Sequence, residues 1–152
     1  MDIFYFAYGS NLDASRMHQR VPAAEPAGLA RLENFALAFG GHSPHWKGAP
    51  ATVVPDEESA VPGRLYRMSR SETYILDYYE GHPFRYERRR ETVELDDGDT
   101  TTAYVYVKEI DGNFATPPEE YLEVLQGAYE DLGLDSATLE EALQRSGGYE
   151  RY

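Results

Sequence analysis

The sequence predicts a mixed α+β fold built as a single domain over residues 1–152. Three observations carry that expectation. Short apolar runs show the period-2 alternation of half-buried strands, as in Thr102-Ala103-Tyr104-Val105-Tyr106-Val107. Two helices have their ends written in capping and stop residues. The chain of 152 residues, 41% hydrophobic, has no internal repeat and no low-complexity linker, and its length is enough to bury one core without staples.

The strands expected in chain order are residues 3–6, 28–39, 51–54, 63–67, 86–95 and 101–107. Loops rich in glycine, proline or charge separate them, at 42–50, 55–60, 96–99 and 111–117. The sheet they form is mixed or antiparallel. The first secure helix spans 70–80. Ser69-Arg70-Ser71-Glu72 has capping-box spacing, in which the serine oxygen accepts from an early backbone N–H while the glutamate reaches back, and Gly81 followed by Pro83 supplies the stop. Thr116-Pro117-Pro118-Glu119 repeats the device with proline at the first helical position. Leu122, Leu125, Tyr129 and Leu132 then form one apolar stripe before Gly133. A short helix at 136–144 places Leu139 and Leu143 at i,i+4, and residues 14–20 form another after the first strand.

Composition excludes several classes of function. With no cysteine there is no disulfide, thiolate nucleophile or cysteine-ligated metal. A formal charge of −13 opposes nucleic-acid binding, because phosphate contacts require clustered cations. Residues 1–6 lack the basic flank and long apolar run of a signal peptide, and no segment reaches membrane-spanning length, so the expected setting is cytoplasmic, without a membrane partner. Lysine is scarce, at Lys47 and Lys108 alone, which suits either an ordinary solvated acidic surface or a salty cytoplasm.

Two places carry candidate chemistry. Strand 3–6 runs into Ala7-Tyr8-Gly9-Ser10-Asn11-Leu12 and then into the start of helix 14–20. A glycine turn at a helix start offers unsatisfied N–H groups and the positive end of the dipole, a corner suited to a carboxylate. It reads equally as an ordinary turn with Asn11 or Asp13 as N-cap. Neither a phosphate-loop pattern nor a G-x-S-x-G elbow is present. The second place is Glu80, in the last turn of helix 70–80, where the dipole disfavours a carboxylate. That position, with partial burial among Tyr74, Tyr78 and Tyr79, raises its pKa toward the range of a general base or acid. The competing reading is an exposed glutamate paired with Arg85 or Arg88.

Other constellations are weaker. His42-Ser43-Pro44-His45, with His18 or His82 as third ligand, lacks a fixed helical face for a metal, and no metal site is expected. The 13 tyrosines raise the thought of a sugar surface with Glu80 and Glu87 as a carboxylate pair, but tyrosines alternating at 104 and 106 are simply sheet residues. In Arg88-Arg89-Arg90, strand alternation sends Arg89 to the opposite face, so the run is solvated or ion-paired.

Taken in order, the segments Tyr5-Phe6-Ala7-Tyr8-Gly9-Ser10-Asn11-Leu12, Ala30-Arg31-Leu32-Glu33-Asn34-Phe35, Trp46-Lys47-Gly48, Gly63-Arg64-Leu65-Tyr66-Arg67-Met68, Leu76-Asp77-Tyr78-Tyr79-Glu80-Gly81 and Gly127-Ala128-Tyr129-Glu130-Asp131-Leu132 resemble the γ-glutamylcyclotransferase family. The resemblance implies a small β-barrel-like sheet with flanking helices and a cavity between the loop and the glutamate. It implies that Tyr5, Phe6, Ala7, Tyr8, Gly9, Ser10 and Asn11 hold the glutamyl part of a small γ-glutamyl substrate, with Tyr121 a further contact, while Glu80 moves the proton. The implied reaction closes a γ-glutamyl amino acid or dipeptide to 5-oxoproline and frees the amine, with no metal or organic cofactor. The same chemistry on a γ-glutamylamine or an acylated intermediate, or mere binding of a carboxylated metabolite, is the alternative. His82-Pro83-Phe84-Arg85 departs from the family pattern at the pocket rim. Leaving amine and oligomeric state are left open.

Overall fold

The computed structural model describes residues 2–147. Its elements are β1 (Asp2–Ala7), α1 (Ala14–Arg20), β2 (Glu25–Phe39), β3 (Ala51–Ser69), α2 (Thr73–Glu80), β4 (Glu87–Leu95), β5 (Thr100–Val107), α3 (Glu119–Leu132) and α4 (Ala137–Arg145). The five strands close into a barrel in the order β1-β3-β2-β4-β5. All neighbours pair antiparallel except β1 and β5, which run parallel with Tyr5 opposite Tyr104, so the sheet is mixed as expected. Closure leaves no free sheet edge to recruit another strand.

β2 and β3 form one long hairpin, and here the sequence expectation is corrected. Strands 51–54 and 63–67 are a single strand, and the segment 55–60 is no break. The register passes from Glu33 opposite Ala60 to Phe35 opposite Pro55, so residues 56–59 are looped out against Asn34 alone. Asp56 closes that bulge by accepting from the Glu58 amide at 2.9 Å and the Ser59 hydroxyl at 3.1 Å, and Asn34 takes φ 68° opposite it. Proline and acids that read as a loop are therefore accommodated inside a strand pair. β2 also begins earlier than expected, at Glu25, with a second irregularity at Gly28, whose φ of 104° suits glycine.

The helix 70–80 opens with a tight turn, Arg70–Glu72, before α2. Its capping box is present: the Glu72 amide donates to Ser69 Oγ at 3.3 Å, and the Ser69 amide donates to the Glu72 carboxylate at 2.7 Å. At α3 the expected threonine cap is absent. Pro118 stands at the N-cap and the helix begins at Glu119, because the Leu122 amide already finds the Pro118 carbonyl at 3.0 Å. The Leu139–Leu143 stripe of α4 is buried as expected.

Alternation along β1 divides its side chains between two cores. Phe6 joins Leu37, Phe39, Leu65 and Val105, covered by Leu125 and Tyr129 of α3 and Leu139 and Leu143 of α4. Tyr5 and Ala7 join Met17 of α1, Leu76 of α2, Tyr66 and Tyr106. Each fully buried apolar side chain contributes about 1.5–3 kcal/mol, so Met17 and Leu76, both 0% exposed, anchor α1 and α2 to the same face of the barrel. Those two helices carry the chain segments that matter for chemistry.

The β1–β3 contact depends on Gly63. A Cβ there would strike the Ala7 carbonyl oxygen and lie 2.6 Å from Phe6 Cζ. The backbone oxygen cannot yield as a side-chain tip would. Gly63→Ala is expected to lower stability by about 1–3 kcal/mol, read as a reduced midpoint in urea unfolding; a midpoint equal to wild type would contradict this packing.

Candidate active site

After β1 the chain turns tightly. The Leu12 amide donates to the Gly9 carbonyl at 3.0 Å and the Asp13 amide to the Ser10 carbonyl at 3.2 Å. Asp13 caps α1, accepting from the Ser15 amide at 2.9 Å. The start of the helix thus already carries its own aspartate cap. What the turn does leave is three successive amides, those of Gly9, Ser10 and Asn11, which donate to no protein acceptor among the described residues. Asn11 is 3% exposed and, apart from its amide, engaged: its Nδ2 donates to the Tyr5 hydroxyl at 3.1 Å, its carbonyl accepts from the Tyr66 hydroxyl at 2.7 Å, and its Oδ1 accepts from Arg20 at 3.5 Å. Such a network fixes the loop in one conformation.

Glu80 ends α2. Gly81, at φ 71°, takes the left-handed conformation, and the His82 amide reaches back to the Asp77 carbonyl at 3.0 Å. Helical spacing sets the Asp77 and Glu80 side chains on the face that Leu76 anchors. The environment of Glu80 is not the one expected. Of the three tyrosines expected around it, Tyr74 and Tyr78 are 65% and 81% exposed and point away, while Tyr79 lines the same cavity with Arg20 5.2 Å above its ring. Burial comes instead from the barrel, and the ion pair is made with Arg20, whose Nη1 lies 3.6 Å from Oε2, while Arg88 pairs with Asp77. The Glu80 side chain is 15% exposed. Burial pushes its pKa from 4.5 up to about 7, against the opposing pull of the Arg20 and then the Lys108 charge.

Loop and glutamate face each other across a cavity of about 100 Å³. The loop after β2 contributes His42, Ser43, His45 and Trp46 to its outer wall, and Tyr86, Tyr106, Lys108 and Tyr121 complete it. Trp46 packs edge-on to Tyr121 with ring centroids 4.8 Å apart, and Arg16 lies 4.9 Å above the indole. The cavity tyrosines are tied to the backbone. Tyr8 donates to the Tyr106 carbonyl at 2.5 Å and Tyr86 to the Ala51 carbonyl at 2.7 Å, while the Tyr121 oxygen accepts from the Ala51 amide at 3.0 Å. Tyr121 approaches so closely because residue 9 is glycine: a Cβ there would stand 3.2 Å from its hydroxyl. Burial raises the pKa of Tyr5, Tyr8, Tyr86 and Tyr121, which keeps these hydroxyls protonated at neutral pH.

Of the residues singled out from sequence, Tyr5, Tyr8, Gly9, Ser10, Asn11, Glu80 and Tyr121 share this cavity. Phe6 and Ala7 do not line it; both are 0% exposed, Phe6 in one core and Ala7 in the other. Sequence reasoning missed Arg20, Tyr86, Tyr106 and Lys108. Strand alternation was the only signal for Tyr106, and it marks a sheet residue as well as a cavity wall. His42 and His45 reach the rim, but His18 and His82 do not line it, and among the described residues no three His, Asp or Glu side chains gather as a metal site. Glu87 stands outside the cavity, paired with Arg89, so it forms no carboxylate pair with Glu80.

Among the described residues no helix is long and apolar enough to cross a membrane. The chain matches the family described as gamma-glutamyl cyclotransferase, AIG2-like, over residues 5–131. A gamma-glutamylcyclotransferase from Mus musculus is 42% identical over 81 residues, which are 51% of this chain and 43% of that protein, so the match spans less than half of the curated relative. A solved gamma-glutamyl cyclotransferase superposes with a TM-score of 0.85 at 29% identity, over 93% of this chain and 86% of that one. An uncharacterised protein from Homo sapiens gives 0.82 at 30% identity, with the same coverage of each chain. With the match running through β1, the loop, α2 and most of α3, the chain belongs to the gamma-glutamyl cyclotransferase, AIG2-like family.

Proposed function

We propose that this protein cyclises a γ-glutamyl amino acid or dipeptide to 5-oxoproline and releases the free amine, with Glu80 as the proton carrier. The observation that carries the reading is a single carboxyl group, raised to about 7, sharing one cavity with three unbonded amides. The substrate's α-amine is an ammonium at neutral pH and cannot attack. Ionised Glu80 takes one proton from it, the freed nitrogen adds to the side-chain carbonyl, and a tetrahedral oxyanion forms. As the bond to the leaving nitrogen breaks, protonated Glu80 gives its proton to that nitrogen; re-ionised, it takes the second proton from the ring nitrogen, leaving a neutral lactam N–H, and passes it to the freed amine, which departs as an ammonium. A group with a pKa near the working pH serves both directions.

Nucleophile and electrophile belong to one molecule, so the protein's remaining task is to hold the curled conformer, an effect worth up to about 10 kcal/mol. The amides of Gly9, Ser10 and Asn11 suit the α-carboxylate or the developing oxyanion, and the Tyr121 hydroxyl, whose oxygen already accepts from Ala51, keeps its proton to donate into the cavity. Tyr5 and Tyr8 line the same space. Phe6 and Ala7 contribute the strand that carries the loop. One domain over residues 1–152 and a cytoplasmic setting complete the reading.

Two measurements test the role of Glu80. Incubation with a panel of γ-glutamyl dipeptides should release 5-oxoproline, with kcat/KM rising as pH passes through about 7, and Glu80→Gln should lower it by at least about 100-fold. Full activity in Glu80→Gln would remove the mechanism; binding without turnover by the wild type would leave a carboxylate-binding module.

The second measurement is independent of turnover. Since the folded pKa lies above the unfolded one, the folded state holds the extra proton between pH 4.5 and about 7, and stability falls as pH rises through that window. Glu80→Gln should therefore gain stability relative to wild type at pH 8, by up to about 3 kcal/mol, with a smaller difference at pH 5. Parallel melting curves at the two pH values would contradict a buried, raised carboxyl.

A further inference from the structure

Arg85 and Lys108 both line the cavity that holds Glu80, near enough for the Arg85 charge to act on Lys108, and neither has a carboxylate partner at salt-bridge distance among the described residues. In a chain with 27 acids against 14 Lys and Arg, two neighbouring cations with no paired carboxylate, only the longer-range pull of Glu80 on Lys108, call for a reason. The nearest acids along the chain are occupied: Glu87 and Glu109 both pair with Arg89. Glu80 itself is held by Arg20.

Both cations are held in place. The Lys108 backbone is locked to Thr52, its amide donating to Oγ1 and its carbonyl accepting from the same hydroxyl, each at 2.9 Å. Its stem lies against Gly41, where a Cβ would come within 2.7 Å of Cε, and its Nζ donates to the Arg85 carbonyl at 3.1 Å, 5.2 Å from the Tyr86 ring centre. Arg85 follows the tight turn at the end of α2, its amide donating to the Gly81 carbonyl at 2.8 Å, and its Nε folds back to 3.0 Å from the position of a Cβ on Gly81. Burial and the Arg85 charge both push the Lys108 pKa down, the cost of placing two like charges together. An anion lodged between them would relieve it.

We infer that Arg85 and Lys108 form a second anion subsite, which holds a carboxylate borne by the leaving amine and so selects γ-glutamyl amino acids over γ-glutamylamines. The inference rests on the cyclotransferase reading. The arrangement fits the chemistry: Arg85 and Lys108 line the same cavity as the loop amides and Glu80, so a substrate whose glutamyl half meets the loop has two cations within the same space to receive its other half. Glu80 is the only acid among the described residues that line the cavity, so it alone opposes a second negative group there.

The test uses two substrates that differ only in that carboxylate, γ-glutamyl-alanine and γ-glutamyl-ethylamide. The wild type should favour the alanine compound by at least about tenfold in kcat/KM, equivalent to about 1.4 kcal/mol, and mainly through KM. In Arg85→Gln/Lys108→Gln the ratio should fall toward one, and Arg85→Glu should carry it below one. Equal use of both substrates by the wild type, or a ratio that survives the double substitution, overturns the subsite and leaves the cyclotransferase reading standing. No 5-oxoproline from either substrate overturns that reading, and the subsite with it.

Discussion

Tyr106 joins the two halves of the site. Its carbonyl accepts the Tyr8 hydroxyl at 2.5 Å, tying down the loop after β1, and its own hydroxyl donates to Asp77 at 2.6 Å, tying down α2 three residues before Glu80. Arg88 closes the arrangement from β4 through its pair with the same aspartate. Because β5 is rigid within a closed barrel, the distance between loop and glutamate is set by strand geometry and not by the flexible ends themselves. The parallel pairing of β1 with β5 is what makes this possible, since it brings the end of β1 beside the end of β5.

The electrostatics of the site follow from that placement. Removing a carboxyl from water raises its pKa; placing a guanidinium beside it lowers it. At Glu80 burial wins, but Arg20 and Lys108 limit the rise, leaving the group near 7 instead of permanently protonated. Arg20 also touches Asn11, so the same cation that restrains the acid braces the loop. Around them the buried tyrosines supply hydroxyls that cannot ionise at neutral pH, and each of Tyr8, Tyr86 and Tyr121 is aimed by a backbone partner. The site is therefore polar without being charged, apart from the acid that transfers the proton and the cations that surround it.

Local features were the legible ones. The capping box at Ser69 and Glu72, the stop at Gly81 and the buried pair Leu139 and Leu143 all depend on residues a few positions apart, and their chemistry is complete within one or two turns. The anomaly of Glu80, an acid at a negative helix end, was visible for the same reason. Where long-range pairing overrode local composition, the sequence misled. Residues 55–60 look like a loop because they contain proline and acids, yet the hairpin partner absorbs them as a bulge. Thr116 has the composition of a cap, but α3 starts two residues further on.

The sequence by itself determined the elements, the strand-turn-helix order of the loop, the acid at position 80 and, through the order of its segments, the family. Only the tertiary structure decided what surrounds that acid. Its neighbours Arg20, Tyr86, Tyr106 and Lys108 come from four different elements or connections, and of the tyrosines near it in sequence Tyr74 and Tyr78 turn to solvent while Tyr79 lines the cavity. The physical reason is that burial and Coulomb interactions depend on separation in space, and barrel closure makes residues about a hundred positions apart, such as Tyr8 and Tyr106, neighbours. A helix cap can be read from four residues; a tuned carboxyl requires the whole barrel.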